Sequence, residues 1–340
     1  MLSVIPLVAY NLVIDPYLVL RKYFNHMFIC PNERYIKTDY ILNNPAKYDS
    51  LLFGSSRVSQ IPVEIINKST GNRFYNMTYI AGIVSDHLNI LKIIIKSGAR
   101  IKSIIIGLDY YSFTAMPIEN QIRNIMYPET LWDKLKFYYT YLSVEPDSGM
   151  LKEVKFDGNE ALYDITGTGE YDFIKKERLL SLDPRRHEAK FKKPVLVVCT
   201  DQLDKTLAEI QEIIALCKKN NIAMTFFINP DYLDMYLCQD VAFINKVRNR
   251  LALITDFWDF SAPNSTIGNY FNFIDPIHYR KKVGAMIIEK MFHQRSDLPA
   301  EFGFLVTESN SKGYIERSEK DFNRYKKLIR PHCLPCPKQQ

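Results

Sequence analysis

Ser56 stands in Gly54-Ser55-Ser56-Arg57, directly after the apolar run 48–53. A serine on a tight turn between a strand and a helix is well placed as a nucleophile, because the next helix N-terminus stabilises negative charge. Far along the chain comes Asp275-Pro276-Ile277-His278. An aspartate three residues before a histidine can hold one imidazole nitrogen while the other faces a serine. Together these residue types do acyl-transfer chemistry: attack on an ester carbonyl, with a base to take the hydroxyl proton. Singly, a Gly-Ser-Ser turn is usually only a turn, and an Asp-x-x-His is usually a solvated helix start. Their place relative to the strands decides whether they can meet.

Residues 48–53 read as a short strand stopped by Gly54, 62–67 as a short helix, and 74–76 as the end of a second strand. Ser85-Asp86 starts a helix in which Leu88, Leu91, Ile94 and Ile95 recur at helical spacing until Gly98. Residues 103–106 are a continuous apolar strand, the pattern of a sheet covered on both faces. Leu203, Leu207, Ile210, Ile213, Ile214 and Cys217 mark an amphipathic helix. Residues 223–228 form another buried strand ended by Asn229-Pro230; 240–249 are helical, and 251–254 read as the last strand. A final helix runs from about 279 to 292. This alternation predicts an α/β fold with three layers around a central parallel sheet of about five strands in flavodoxin-like order. In such sheets the crevice lies beyond the carboxyl ends of the strands. The residues that follow those ends are Ser56 and Arg57, the stretch 76–82, Asp109, and the block that ends in His278.

In this order, at these strand ends, the blocks resemble the SGNH (GDSL-type) hydrolase superfamily over residues 48–110 and 195–293. Gly54-Ser55-Ser56 matches its first block, normally Gly-Asp-Ser, with Ser55 replacing the Asp. Asp275-Pro276-Ile277-His278 matches its last block, Asp-x-x-His. The similarity is closer to a membrane-anchored branch of bacterial envelope proteins that handle acyl groups on surface polymers. There the first block is often Gly-Ser-Ser or Gly-Thr-Ser, and the anchor ends in a segment much like residues 11–17. The resemblance implies a serine esterase or acyltransferase with Ser56 as nucleophile, His278 as general base and Asp275 orienting the imidazole. The Ser56 N–H and one from the second block would form the oxyanion hole. The family's glycine, five residues after Asn76, falls on Ala81 with Gly82 next, and either can donate an N–H. The family's third block, Gly-x-Asn-Asp, is here Gly107-Leu108-Asp109-Tyr110. An ionised Asp109 cannot donate to an oxyanion. Asp109 would instead be protonated, contact a sugar hydroxyl, or brace Ser56 and Arg57, and Asn76 or Asn229 would supply the amide. The implied substrate is an O-acylated envelope glycan or another ester, with no cofactor. The alternative is an envelope binding or assembly protein that keeps the fold without the oxyanion donor.

The chain has 340 residues, 47% hydrophobic and 24% charged, which suits a sizeable core and excludes disorder. Residues 311–340 hold eight Lys and Arg against three acidic residues, so they account for +5 of the net +6. A near-neutral body offers no broad phosphate-binding surface, so nucleic acid is not an expected partner. Six cysteines suggest no disulfide framework; Cys199 and Cys217 read as buried small hydrophobes. Cys333-Leu334-Pro335-Cys336 beside His332 falls short of the four ligands of a structural zinc. His87, at a helix start near the crevice, is a rival base with no acidic partner at a defined spacing.

Residues 2–14 are almost wholly apolar, broken by Asn11 and ended by Asp15-Pro16. This is short of the ~18–20 residues a membrane-spanning helix needs, and no basic region or cleavage site accompanies it. Three readings stand: the outer end of a membrane anchor, an interfacial segment, or a helix packed on the domain. The resemblance favours the anchor, and with it membrane association through the N-terminus and an extracytoplasmic domain in the cell envelope. The expected layout is an anchor and linker over 1–30, the α/β domain over 31–296 with an insertion at about 110–193, and a basic extension over 297–340.

Overall fold

The run Ser103-Ile104-Ile105-Ile106-Gly107-Leu108 has no polar face, so both of its sides must be covered and its backbone paired on both edges. In the computed structural model it is the third strand of a six-stranded sheet. The structure describes residues 4–20, 27–28, 31–114, 122–145, 155–156, 164–171, 183–192, 195–196, 201–293, 297–331 and 333–334. The sheet strands are β1 (Ser50–Gly54), β2 (Phe74–Thr78), β3 (Ser103–Leu108), β4 (Ala223–Ile228), β5 (Phe257–Asp259) and β6 (Phe304–Val306). Their order across the sheet is β2-β1-β3-β4-β5-β6. The first five are parallel, and β6 runs antiparallel along β5.

Among the described residues the helices of five or more residues are α1 (Val4–Ile14), α2 (Glu33–Asn43), α3 (Val63–Thr70), α4 (Val84–Lys96), α5 (Leu131–Leu142), α6 (Pro184–Phe191), α7 (Leu203–Lys219), α8 (Leu233–Leu237), α9 (Val241–Ala252), α10 (Lys281–His293) and α11 (Ser311–Ile329). Right-handed crossovers place α4, α7 and α9 on one face and α3 on the other. Accordingly α4 packs on α2 and α7, while α3 packs on α10. The result is a three-layer α/β architecture with a mostly parallel central sheet.

Four elements differ from the sequence reading. Residues 251–254 are not a strand: Leu251 and Ala252 end α9, where Ile244, Val247, Arg248 and Leu251 share its buried face. The strand comes three residues later as β5, too short to announce itself by periodicity. Within 297–340, residues 304–306 and 311–329 form β6 and α11, with Tyr314, Ser318 and Phe322 turned inward, so the basic residues of α11 lie on the outer side of a packed helix. Cys238 is bonded to Cys333, a pairing across 95 residues that spacing did not suggest. Cys30, Cys199, His332 and Cys336 lie outside the described residues, as does much of the expected insertion at about 110–193. One described stretch of it, 164–171, borders the free edge of β2, where Thr168 C=O accepts the Asn76 N–H at 2.8 Å.

The fourth difference concerns the N-terminus. α1 has 11 residues, about 16 Å of helix against the ~30 Å of a bilayer core. No helix among the described residues is long and apolar enough to cross a membrane. Instead α1 packs on α5, and the buried Asn11 Nδ2 donates to the carbonyls of Leu142 (3.0 Å) and Val144 (2.9 Å). The expected anchor, the membrane association through the N-terminus and the envelope location that depended on it are corrected on this finding.

The turn after β1 is held against the strand tops by one side chain. Val58 fills space left by two glycines: a Cβ on Gly54 would come 2.3 Å from Val58 Cγ2, and one on Gly107 would come 2.4 Å from the same atom. Gly107→Ala is therefore expected to lower the unfolding free energy by about 1–3 kcal/mol, read as a lower urea midpoint at unchanged slope. Gly313→Ala, in α11 with nothing within 4 Å of its Cβ, should be neutral or gain up to ~1 kcal/mol.

Candidate active site

Ser56 and His278 are 222 residues apart, and they meet at the carboxyl edge of the sheet. The close approach is made by α10. A Cβ on Gly284 would lie 2.4 Å from the Gln60 carbonyl oxygen, so glycine lets α10 rest directly on the turn that follows Ser56. Ahead of α10, the short antiparallel pair Phe273–Asp275 and His278–Tyr279 forms a tight hairpin. Asp275 Oδ1 closes it by accepting the backbone N–H groups of Ile277 (3.2 Å) and His278 (3.0 Å).

The side chains form a continuous hydrogen-bonded chain. Ser56 Oγ is 2.9 Å from His278 Nε2. His278 Nδ1 is 2.8 Å from Asp275 Oδ1 and 3.0 Å from Oδ2. An ionised carboxylate only accepts, which assigns the Nδ1–H tautomer and leaves Nε2 to accept from the serine hydroxyl. Ser56 and His278 are both partly exposed, so a reacting group can approach from solvent.

The segment after β2 lies against the start of the serine turn. Tyr79 N–H donates to Gly54 C=O at 3.2 Å, and a Cβ on Gly82 would sit 2.8 Å from that same oxygen. Gly82 N–H is engaged with Tyr79 C=O at 3.1 Å. Ala81 has φ +51°, a left-handed conformation rare for residues with a Cβ. Among the described residues neither Ala81 N–H nor Ser56 N–H donates a hydrogen bond. Between Ala81 and Gly82, both open in the sequence, the geometry leaves Ala81 with the unused donor.

Arg57, Asp109 and Asn229 form a polar layer below the serine turn, joined by two residues the sequence reading did not single out. The Arg57 guanidinium is paired with Asp231 and lies 3.5 Å from Asp109 Oδ1. Asn229 Nδ2 donates to Asp109 Oδ1 at 3.0 Å, and Tyr279 OH donates to Asn229 Oδ1 at 2.9 Å. Burial pushes the Asp231 carboxyl up to about 6; Arg57 opposes this and Asp109 adds to it. Burial works against the Arg57 charge, but Asp231, Asp109 and Asp275 outweigh it and keep its pKa above the ordinary value. Asp231 was legible only by place, directly after the Asn229-Pro230 that ends β4.

Asn76 is not gathered with these groups. It lies inside β2, and its Oδ1 accepts from Thr78 N–H (3.1 Å) and Thr78 Oγ1 (2.5 Å). His87 is buried between Phe53 and Tyr79, and Arg185 and Arg186 are exposed on α6. Asp259, at the end of β5, is buried with its Oδ2 2.6 Å from Arg248 Nε. Among the described residues no three His, Cys, Asp or Glu side chains gather at ligand spacing.

No protein-family model matches the chain, and no curated protein matches it. The resemblance to the SGNH hydrolases and to their membrane-anchored branch is corrected on these findings. It stood on turn blocks of three and four residues, too little sequence to carry a family, and on an anchor that α1 does not provide.

Burial pushes the His87 imidazole down to about 4. Its folded pKa is thus below the ordinary value near 6.5, and the folded state refuses a proton that the unfolded chain accepts. The His87 contribution to stability is present above pH ~6.5 and is lost as pH falls towards about 4, by roughly 3 kcal/mol at most. Urea melts of wild type and His87→Phe across pH 4–7 should show a difference that changes over that window and is flat above it.

Proposed function

We propose that the chain is a serine-dependent ester hydrolase or acyltransferase, and that the sheet is wound in flavodoxin-like order. The observation that carries the enzymatic reading is the chain Ser56 Oγ–His278 Nε2–His278 Nδ1–Asp275. It is built from opposite ends of the sequence at the edge where open α/β sheets bind ligands. The strand order β2-β1-β3-β4-β5, with β6 added antiparallel, supports the winding.

In this reading Ser56 Oγ attacks the ester carbonyl carbon while His278 Nε2 takes the hydroxyl proton. Asp275 keeps the imidazole in the Nδ1–H tautomer and stabilises the imidazolium that forms. The carbonyl oxygen becomes an oxyanion received by the N–H groups of Ser56 and Ala81. Collapse breaks the bond to the alcohol oxygen, which leaves with the proton from His278 Nε2 and leaves the acyl group on Ser56. Water, or the hydroxyl of an acceptor, then attacks the acyl carbon as His278 takes its proton. The second collapse returns that proton to Ser56 Oγ and releases the acid or the new ester. Asp109 has no part in the oxyanion site on this account, since its carboxylate is turned to Asn229 and Arg57.

Stopped-flow mixing with p-nitrophenyl acetate tests the reading. Wild type should release a burst of p-nitrophenolate followed by slower turnover. Ser56→Ala should fall to the uncatalysed rate, and Asp275→Asn should lose about 1,000- to 10,000-fold in kcat. Equal traces from wild type and Ser56→Ala would end the proposal.

A further inference from the structure

Helix α2 buries four charged side chains, Glu33, Arg34, Lys37 and Asp39, of which the first three reach one neighbouring loop. Lys37 is buried completely. A buried charge is costly before pairing, so a helix does not gain stability from three of them near its first turn. Burial pushes the Lys37 ammonium down to about 8 against the pull of Glu33 and Glu170, a direct sign of that cost.

The backbone atoms they contact lie in one short stretch. Lys37 Nζ donates to the Thr78 carbonyl at 2.7 Å. Glu33 Oε2 accepts the Ile80 N–H at 2.6 Å. Arg34 donates to the Ile80 carbonyl at 3.3 Å and to the Ala81 carbonyl at 3.4 Å. The same guanidinium is held by Asp86 Oδ2 (2.6 Å) and Asn124 Oδ1 (2.9 Å) and lies over the Tyr79 ring at 5.1 Å. Residues 78–81 leave β2 and end at Ala81, whose left-handed backbone is strained for a residue with a Cβ. From the other side Gly54 C=O takes the Tyr79 N–H. The outcome is selective: Ile80 N–H goes to Glu33, Gly82 N–H goes to Tyr79 C=O, and Ala81 N–H is left unused.

We propose that Glu33, Arg34 and Lys37 are positioning residues of the acyl-transfer site, clamping residues 78–81 in the one backbone shape that presents the Ala81 N–H to the developing oxyanion. The inference rests on the reading of Ser56 as nucleophile given above. Charge-assisted bonds are about twice as strong as neutral ones, which suits a segment that must hold strain while substrate charge develops beside it. A donor fixed in advance stabilises a transition state more than one that must reorganise.

The test uses the full chain and measures kcat and KM for an aryl acetate and for its thionoester, in which sulfur replaces the carbonyl oxygen. An N–H hole favours the oxygen anion, so the ester-to-thionoester ratio reports the hole, and a general loss of packing does not move it. Arg34→Met and Glu33→Ala should lose about 10- to 100-fold in kcat with KM within about twofold, the size of a donor misplaced by an ångström. The ester-to-thionoester ratio should shrink with it. Glu33→Gln keeps an oxygen for the Ile80 N–H and should recover most of the loss. Arg34→Lys keeps a charge for Asp86 without the fork that reaches both carbonyls, and should lose about 10-fold even if Arg34→Met does not fold. Unchanged kcat and ratio in folded Arg34→Lys and Glu33→Ala would overturn the clamp. If Ser56→Ala kept full turnover, the parent reading would fail instead, so the two failures are distinguishable.

Discussion

The contact on which the crevice depends is Val58 wedged between Gly54 and Gly107. A Cβ on either glycine would overlap Val58 Cγ2, so the absence of one lets the turn carrying Ser56 lie flat on the tops of β1 and β3. That placement fixes the Gly54 carbonyl, which receives Tyr79 and sets how near the segment after β2 can come. It also fixes the turn around Gln60 against which Gly284 seats α10, and α10 is preceded by the hairpin of Asp275 and His278. Removing a methyl-sized gap at either glycine would lift the turn and separate groups that are only one hydrogen bond apart.

Around that contact the molecule buries several charged groups, three of them arginines held by aspartates. Arg248 on α9 is fully buried and binds Asp259, Ser261 and Ser318, tying β5 and α11 together. Arg57 bridges Asp231 and Asp109, linking the loops after β1, β3 and β4. Arg34 and its neighbours bind the loop after β2. Buried pairs of this kind are weak contributors to stability, yet breaking one by removing a single partner typically costs about 3–5 kcal/mol. Their common effect is to fix loop backbones at the carboxyl edge, where the site lies, and not to strengthen the core.

What was legible in the sequence follows from locality. The strands at 48–53, 103–106 and 223–228 were readable because continuous apolar runs have one structural outcome when both faces are covered. The bond between Asp275 and His278 was readable because three residues separate them. β5 was misplaced because Leu251 fits a strand run as well as the inward face of α9, and only tertiary packing chooses. β6, the Cys238–Cys333 bond and the Arg57–Asp231 pair join positions far apart in the chain and leave no periodic trace. Residues 33–37 drew no reading from the sequence, since nothing local says that their charges turn inward. The apolar N-terminus left three readings open and only the resemblance favoured an anchor, whereas its buried amide, Asn11, shows how it packs on α5.

The central claim is that Ser56 is a nucleophile made reactive by His278. A fluorophosphonate probe tests it without knowledge of the natural ester, because the phosphorus centre is attacked only by an activated hydroxyl in reach of a base. After labelling at neutral pH and proteolysis, mass spectrometry should place one adduct on the peptide containing Ser56, and His278→Ala should abolish it. An adduct on a different residue, or equal labelling of wild type and His278→Ala, would contradict the account.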